Sequence, residues 1–220
     1  MEKFKYSEAS KYYDRDYFDT PGVKSGYTWM SRSIKGAWHA QACGWLASVI
    51  PIKGKSLLDA GCGLGHFMVA FHALGARVVG CDVSEYCCDF IEANVRLPII
   101  RTALEDMGTI EDNTFDVVYC GATLEHIPAQ FTDAALRNLS RVTKPGGMVF
   151  LEIDTMPDEL RSMPEESHVN IRTWDWWVKK LNHPAYNWIR QTEREKRLRE
   201  CHDFPGFPHP DWSFAVLMKK

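Results

Sequence analysis

The sequence predicts a doubly wound α/β fold: a mostly parallel sheet with helices on both faces. Three observations carry this. Short apolar runs alternate with segments of helical period, the runs end in glycine or acidic residues, and clear turn signals separate the units. The 220 residues, 45% hydrophobic and 25% charged, suit one domain over 1–220, since domains commonly span roughly 50–250 residues.

The first thirty residues are rich in tyrosine (Tyr6, Tyr12, Tyr13, Tyr17, Tyr27) and show no clear period. From 34 to 50, Ile34, Trp38, Trp45, Leu46 and Val49 recur at mostly helical spacing until Pro51 stops the run. Residues 1–50 thus form an aromatic cap and a helix. A core follows over 54–153. Ser56 to Ala60 is an apolar strand ending in a glycine cluster, after which Phe67, Ala70, Phe71 and Leu74 share one helical face. Arg77 to Cys81 is the second strand, and Ser84 can cap a helix running to about Arg96. Ile99 to Thr102 and Phe115 to Cys120 are the third and fourth strands. A helix with Ala135, Leu136, Leu139 and Val142 on one face comes next, then a tight Lys144-Pro145-Gly146-Gly147 turn into a strand from Met148 to Ile153. Alternation implies right-handed parallel crossovers. Over 154–220 the pattern loosens: Thr173 can cap a tryptophan-rich helix, 185–199 is ambiguous between strand and charged helix, and Trp212 to Met218 is a strand.

Composition excludes several classes. A net charge of -3, from 26 basic and 29 acidic residues, gives no general drive toward nucleic acid or anionic membrane. No stretch approaches the ~18–20 apolar residues of a membrane span, and the charged start does not resemble a secretory signal. Seven cysteines without Cys-x-x-Cys spacing point to reduced thiols and a cytoplasmic protein. Cys201, His202 and His209 do not match a metal-site spacing, so no metal is expected.

The informative segment is Asp59-Ala60-Gly61-Cys62-Gly63-Leu64-Gly65, between a buried strand and a helix start. Its glycines allow a sharp turn and close approach of a nucleotide-like ligand. A dinucleotide fingerprint would need a glycine at position 66, where the chain has His66. Asp59 suits an ammonium group. Asp82, at the end of the second strand, can accept hydrogen bonds from two ribose hydroxyls; an acid at an exposed helix start is the competing reading.

This segment resembles motif I of class I S-adenosylmethionine-dependent methyltransferases, Asp-x-Gly-x-Gly-x-Gly after an apolar strand. Phe115 to Pro128, with Leu124-Glu125-His126, is similar to the small-molecule branch of that family, which includes ubiquinone-type O-methyltransferases. The turn at Lys144 to Gly147 is similar too. The resemblance covers about 56–153. It implies a Rossmann-like, seven-stranded sheet, S-adenosylmethionine as cofactor and S-adenosylhomocysteine as product. The cofactor-binding residues it implies are Asp59, Gly61, Cys62, Gly63, Gly65, Asp82, Val83, Leu104, Glu105, Cys120 and Gly121. Ala103 departs from the commonest family pattern at the adenine edge.

Methyl transfer to a hydroxyl calls for a base, and histidine suits neutral pH. His126 is the first candidate, a helix-orienting role its alternative; His168, in Glu166-Ser167-His168-Val169-Asn170, is the second, with a plain loop role as its alternative. That stretch resembles one found in some methyltransferases of glycan and cell-surface biosynthesis. Tyr13, Tyr17, Trp29 and Arg32 are candidates for the cap and acceptor pocket, Arg32 as an ion-pair partner of the cofactor carboxylate or an acidic substrate; core packing is the competing account of the aromatic excess, and a solvated surface position that of Arg32. The segment after the fourth strand lacks the Asn/Asp-Pro-Pro-aromatic motif of base N-methyltransferases. The expected activity is therefore O-methylation of a small-molecule or glycan acceptor by a monomer or homodimer. N- or C-methylation and a non-catalytic cofactor-binding partner are the alternatives.

Overall fold

The computed structural model describes residues 6–20, 32–160, 165–200 and 212–220. Seven strands form one sheet: β1 Ser56–Ala60, β2 Arg77–Asp82, β3 Ile99–Arg101, β4 Phe115–Gly121, β5 Thr143–Asp154, β6 Trp188–Arg190 and β7 Trp212–Lys219. Their order is β3-β2-β1-β4-β5-β7-β6. The first five are parallel, and β7 runs antiparallel to β5 and β6.

The period-two geometry of strands divides the core into two layers. Val118 and Cys120 of β4, with Ala215 and Leu217 of β7, pack against α6 (Ala129–Val142) and α7 (Trp174–Leu181). Their neighbours Val117, Tyr119, Phe214 and Val216 lie in a second cluster with α3 (Arg32–Ala47), α4 (His66–Ala73) and α8 (Thr192–Arg199). Tryptophans close both layers. Trp177 is fully buried, Trp188 donates from Nε1 to the Leu181 carbonyl at 2.5 Å, and Trp45 donates to the Leu198 carbonyl at 3.0 Å.

Several elements differ in detail from their sequence expectations. The N-terminal aromatic stretch holds two short helices, α1 Ala9–Tyr12 and α2 Arg15–Asp19, and the Asp14 carboxylate caps the second by accepting from the amides of Asp16 and Tyr17. Helices this short carry too few turns for a period to show. Ser84 does cap α5 (Glu85–Phe90), accepting from the Cys87 amide at 3.0 Å, but the helix widens into a π turn at Ile91–Val95. Thr173 occupies the N-cap of α7 without a side-chain cap bond. The turn at 144–147 lies inside β5 as an irregularity: pairing with β4 shifts register between Phe115 and Val117 and resumes at Met148. The ambiguous stretch 185–199 contains both β6 and α8.

Candidate active site

The loops leaving β1, β2 and β4 meet beside the switch in strand order between β1 and β4, where open α/β sheets bind their ligands. Gly61, Gly63 and Gly65 all take left-handed backbones, with φ of 78°, 52° and 77°. At Gly61 a Cβ would strike the Thr123 hydroxyl in the loop after β4, so only glycine lets the two loops approach. The turn is fixed from below: the amides of Gly61 and Cys62 donate to the Cys81 carbonyl at 2.8 and 3.1 Å.

Asp82 ends β2 within this cradle. Its Oδ2 accepts from the Gly63 amide and its Oδ1 from the Ser84 amide, both at 2.8 Å. Each oxygen retains capacity for a further donor. Burial pushes its carboxyl up, and the amides of Ser84, Gly63 and Val83 oppose that push. Asp59 is also buried, but among the described residues its Oδ2 has no hydrogen-bond partner. Burial, then the charge of Asp82, raises its pKa to about 8. A buried carboxyl with an open oxygen is a site for a cationic group.

The remaining cofactor candidates differ in what they can offer. Leu104 is buried and its carbonyl accepts from Asn138 Nδ2 at 2.9 Å. Both Glu105 oxygens lie 2.8 Å from the Tyr6 hydroxyl, which donates to them. Gly121 closes β4, where a Cβ would collide with the Tyr119 hydroxyl. The Cys120 side chain belongs to the core on the α6 face, because alternate strand residues point to opposite layers. A contact from Cys120 would therefore come from its main chain. Val83 packs with the N-terminal aromatics, and Cys62 is half-buried.

Residues 6–20 lie over this cradle. Tyr13, Tyr17 and Phe18 are buried and pack with Leu64 and Cys87, and the Phe18 ring comes within 3.4 Å of where a Cβ on Gly63 would stand. Polar ties hold the segment down: Ser84 Oγ donates to the Tyr13 carbonyl at 2.5 Å, and the Tyr86 hydroxyl to Asp19 at 2.6 Å. Trp29 and the Arg32 side chain lie outside the described residues.

A second group gathers beside the cap. His126, from the 3-10 turn Leu124–His126, and His168 have ring centroids 4.8 Å apart, and the Tyr13 ring meets His126 edge-on at 5.8 Å. The loop carrying His168 is held there by Asn170, whose amide donates to the Glu125 carbonyl at 2.9 Å and whose Nδ2 donates to Thr132 at 3.1 Å. Glu165 sits 3.9 Å from His126 Nδ1 and 3.7 Å from His168 Nε2. Against the cost of burial, His126, His168, Ser167 and Tyr17 hold its carboxyl below the usual range. Burial lowers His126 to about 4, with Glu165 pulling the other way, so its imidazole is neutral at physiological pH. Glu125 is fully buried, and neither of its oxygens has a well-formed hydrogen bond among the described residues. Burial pushes it well above the carboxylate range, and Asp154 and Glu165 add to the rise.

Sequence reasoning named His126, His168, Tyr13 and Tyr17 separately, and the structure brings all four together. It did not name Glu165, which is separated from the strand pattern and belongs to no motif. It also missed Phe18 and Tyr6, whose neighbours are set only by tertiary packing. Among the described residues, one group has ligand-capable atoms close enough for a metal ion: Glu125, His126 and His168, all within 4.8 Å of one another. Cys201, His202 and His209 lie outside the described residues.

A seven-stranded, mostly parallel sheet with an Asp-x-Gly-x-Gly-x-Gly turn after β1 and an acid ending β2 defines the class I, S-adenosylmethionine-dependent methyltransferase fold. Residues 58–151 match the family described as a methyltransferase domain. Over 111 residues the chain is 34% identical to the ubiquinone biosynthesis O-methyltransferase of Ralstonia nicotianae, covering 48% of this chain and 46% of that protein. The chain thus spans about half the length of the curated relatives it matches. Among solved structures, an S-adenosylmethionine-dependent methyltransferase from Mesorhizobium loti superposes with a TM-score of 0.58 at 17% identity, over 82% of this chain and 98% of that one. The YcgJ protein of Bacillus subtilis gives 0.62 at 15% identity, over 82% and 98%. At these identities the structural likeness speaks for the fold.

Proposed function

We propose that the chain transfers a methyl group from S-adenosylmethionine to a hydroxyl of a small-molecule or glycan-type acceptor. The observation that carries the reading is the pairing of Asp59, buried with an open oxygen, with Asp82, fixed by two amides across a glycine cradle. These residues fit the cofactor: Asp59 for the methionine ammonium, Asp82 for the ribose hydroxyls, and the Gly61–Gly65 turn for close passage of the chain between them. The cofactor supplies an already activated methyl carbon, so the protein's task is largely to position the acceptor.

His126 and His168 are proposed to receive the acceptor's proton. A neutral imidazole has a lone pair to offer, and Glu165 stabilises the imidazolium that results. Tyr13 and Tyr17 exclude water above the pair. The hydroxyl as acceptor is favoured by the named O-methyltransferase relatives and by a histidine pair in the loops around β4. Incubation with S-adenosylmethionine and a panel of catechols, polyprenylated phenols and sugars tests the reading. The expected result is S-adenosylhomocysteine released in step with an O-methylated product; methylation confined to amines would overturn the hydroxyl assignment.

A further inference from the structure

Which nitrogen of His126 takes the proton is decided by its neighbours. His126 Nδ1 lies 3.2 Å from the Ser167 carbonyl oxygen and 3.0 Å from Ser167 Oγ. A carbonyl can only accept, so Nδ1 must carry the hydrogen to make the first contact. The Ser167 hydroxyl could in principle donate to Nδ1 and force the opposite tautomer. It does not, because its hydrogen is directed at Glu165 Oε1, 2.6 Å away. An ionised carboxylate is a far better acceptor than a neutral imidazole. The same Oε1 accepts from the Tyr17 hydroxyl of the cap.

We propose that Glu165 is a positioning residue that acts through Ser167 to hold His126 as the Nδ1–H tautomer, leaving the Nε2 lone pair as the proton acceptor. Glu165 touches neither cofactor nor acceptor in this scheme. It polarises the Ser167 hydroxyl, so that both Ser167 oxygens accept from His126, and the Tyr17 bond makes docking of the cap part of the same network. The order of contacts, carboxylate to hydroxyl to imidazole, parallels the general use of an acid to orient a catalytic histidine, with a serine interposed. The inference rests on the proposed role of His126 as base.

The test needs no acceptor. Histidine ring nitrogens of the full chain are labelled with 15N and followed by long-range proton–nitrogen correlation at neutral pH, with His126→Asn used to assign the signal. In the wild type, Nδ1 is expected in the protonated range and Nε2 in the unprotonated range. In Glu165→Ala the Ser167 hydroxyl is released, and the Nε2–H form should gain about tenfold relative to wild type, the scale of one charge-assisted hydrogen bond. If Glu165→Ala fails to fold, Glu165→Leu, which also removes the acceptor while filling the space, is read by the same criterion. A wild-type His126 carrying its hydrogen on Nε2 overturns the proposal, as does a folded variant whose tautomer ratio stays within twofold of wild type. Calorimetry of the wild type with S-adenosylhomocysteine separates the two readings. A chain with the Nδ1–H tautomer and no binding fails as a methyltransferase while the Glu165–Ser167–His126 network stands.

Discussion

The proposed cofactor cradle and the proposed acceptor station are built in opposite ways. The cradle is local: Asp59, three glycines and Asp82 lie on two consecutive strand–turn units, and backbone amides hold the key carboxylate. The acceptor station is assembled from three distant segments, with Tyr13 and Tyr17 from the cap, His126 after β4, and Glu165, Ser167 and His168 from the loop after β5. One is held by main-chain geometry and the other by side-chain contacts. Substitutions should therefore damage the cradle through the backbone and the station through individual functional groups.

The largest effect is expected at Gly61. Gly61→Ala adds a Cβ against the Thr123 hydroxyl at a left-handed position, so stability should fall by about 2–4 kcal/mol, and S-adenosylhomocysteine binding should be lost in calorimetry. Near-native stability would show that the two loops can separate, and would blur the contrast. Next comes His126→Ala, which should lower turnover by about 100-fold or more on an acceptor found by the panel while leaving cofactor affinity nearly unchanged. Full activity would remove the station from the mechanism. Asp82→Ala should weaken S-adenosylhomocysteine binding by about 1–3 kcal/mol, measured by the same titration; an unchanged affinity would contradict the ribose assignment.

A smaller effect concerns pH. Asp59 and Glu152 are both raised to about 8 from ordinary values of 3.8 and 4.5, chiefly by burial. Between those limits the folded chain holds more protons than the unfolded one. Their contribution to the stability of the cofactor-free chain thus falls as pH rises from about 4 to 8 and levels off above, while His126, lowered by burial to about 4, contributes the opposite slope up to about 6.5. Thermal midpoints across that window check the slope, and Asp59→Asn should flatten it. A slope that Asp59→Asn leaves unchanged would mean that Asp59 is not desolvated.

The same contrast explains what the sequence makes legible. Ser56–Ala60, the glycine turn and the acid closing β2 are contiguous, so their pattern survives in one dimension, and β1, β2, β4 and α7 can be drawn from periodicity alone. Glu165 has no such signature: Ser167 and His168 follow it closely in the chain, but Tyr17 and His126, which complete its surroundings, come from distant segments. His126 and His168 were visible as residue types, but their proximity depends on Asn170 anchoring one loop to the other. The tryptophan excess divides in the same way. Trp45, Trp177 and Trp188 are core residues, whereas the tyrosines of the cap lie over the candidate site. Composition could count these aromatics and could not assign them to packing or to the pocket.

The central claim is that a cradle built on Asp59, Gly61–Gly65 and Asp82 binds S-adenosylmethionine. Isothermal titration of the full chain with S-adenosylmethionine and S-adenosylhomocysteine tests it most directly. One molecule of either ligand should bind per chain, and both affinities should drop in Asp82→Ala. Absence of heat at millimolar concentrations of both ligands, from a chain that melts cooperatively, would contradict it.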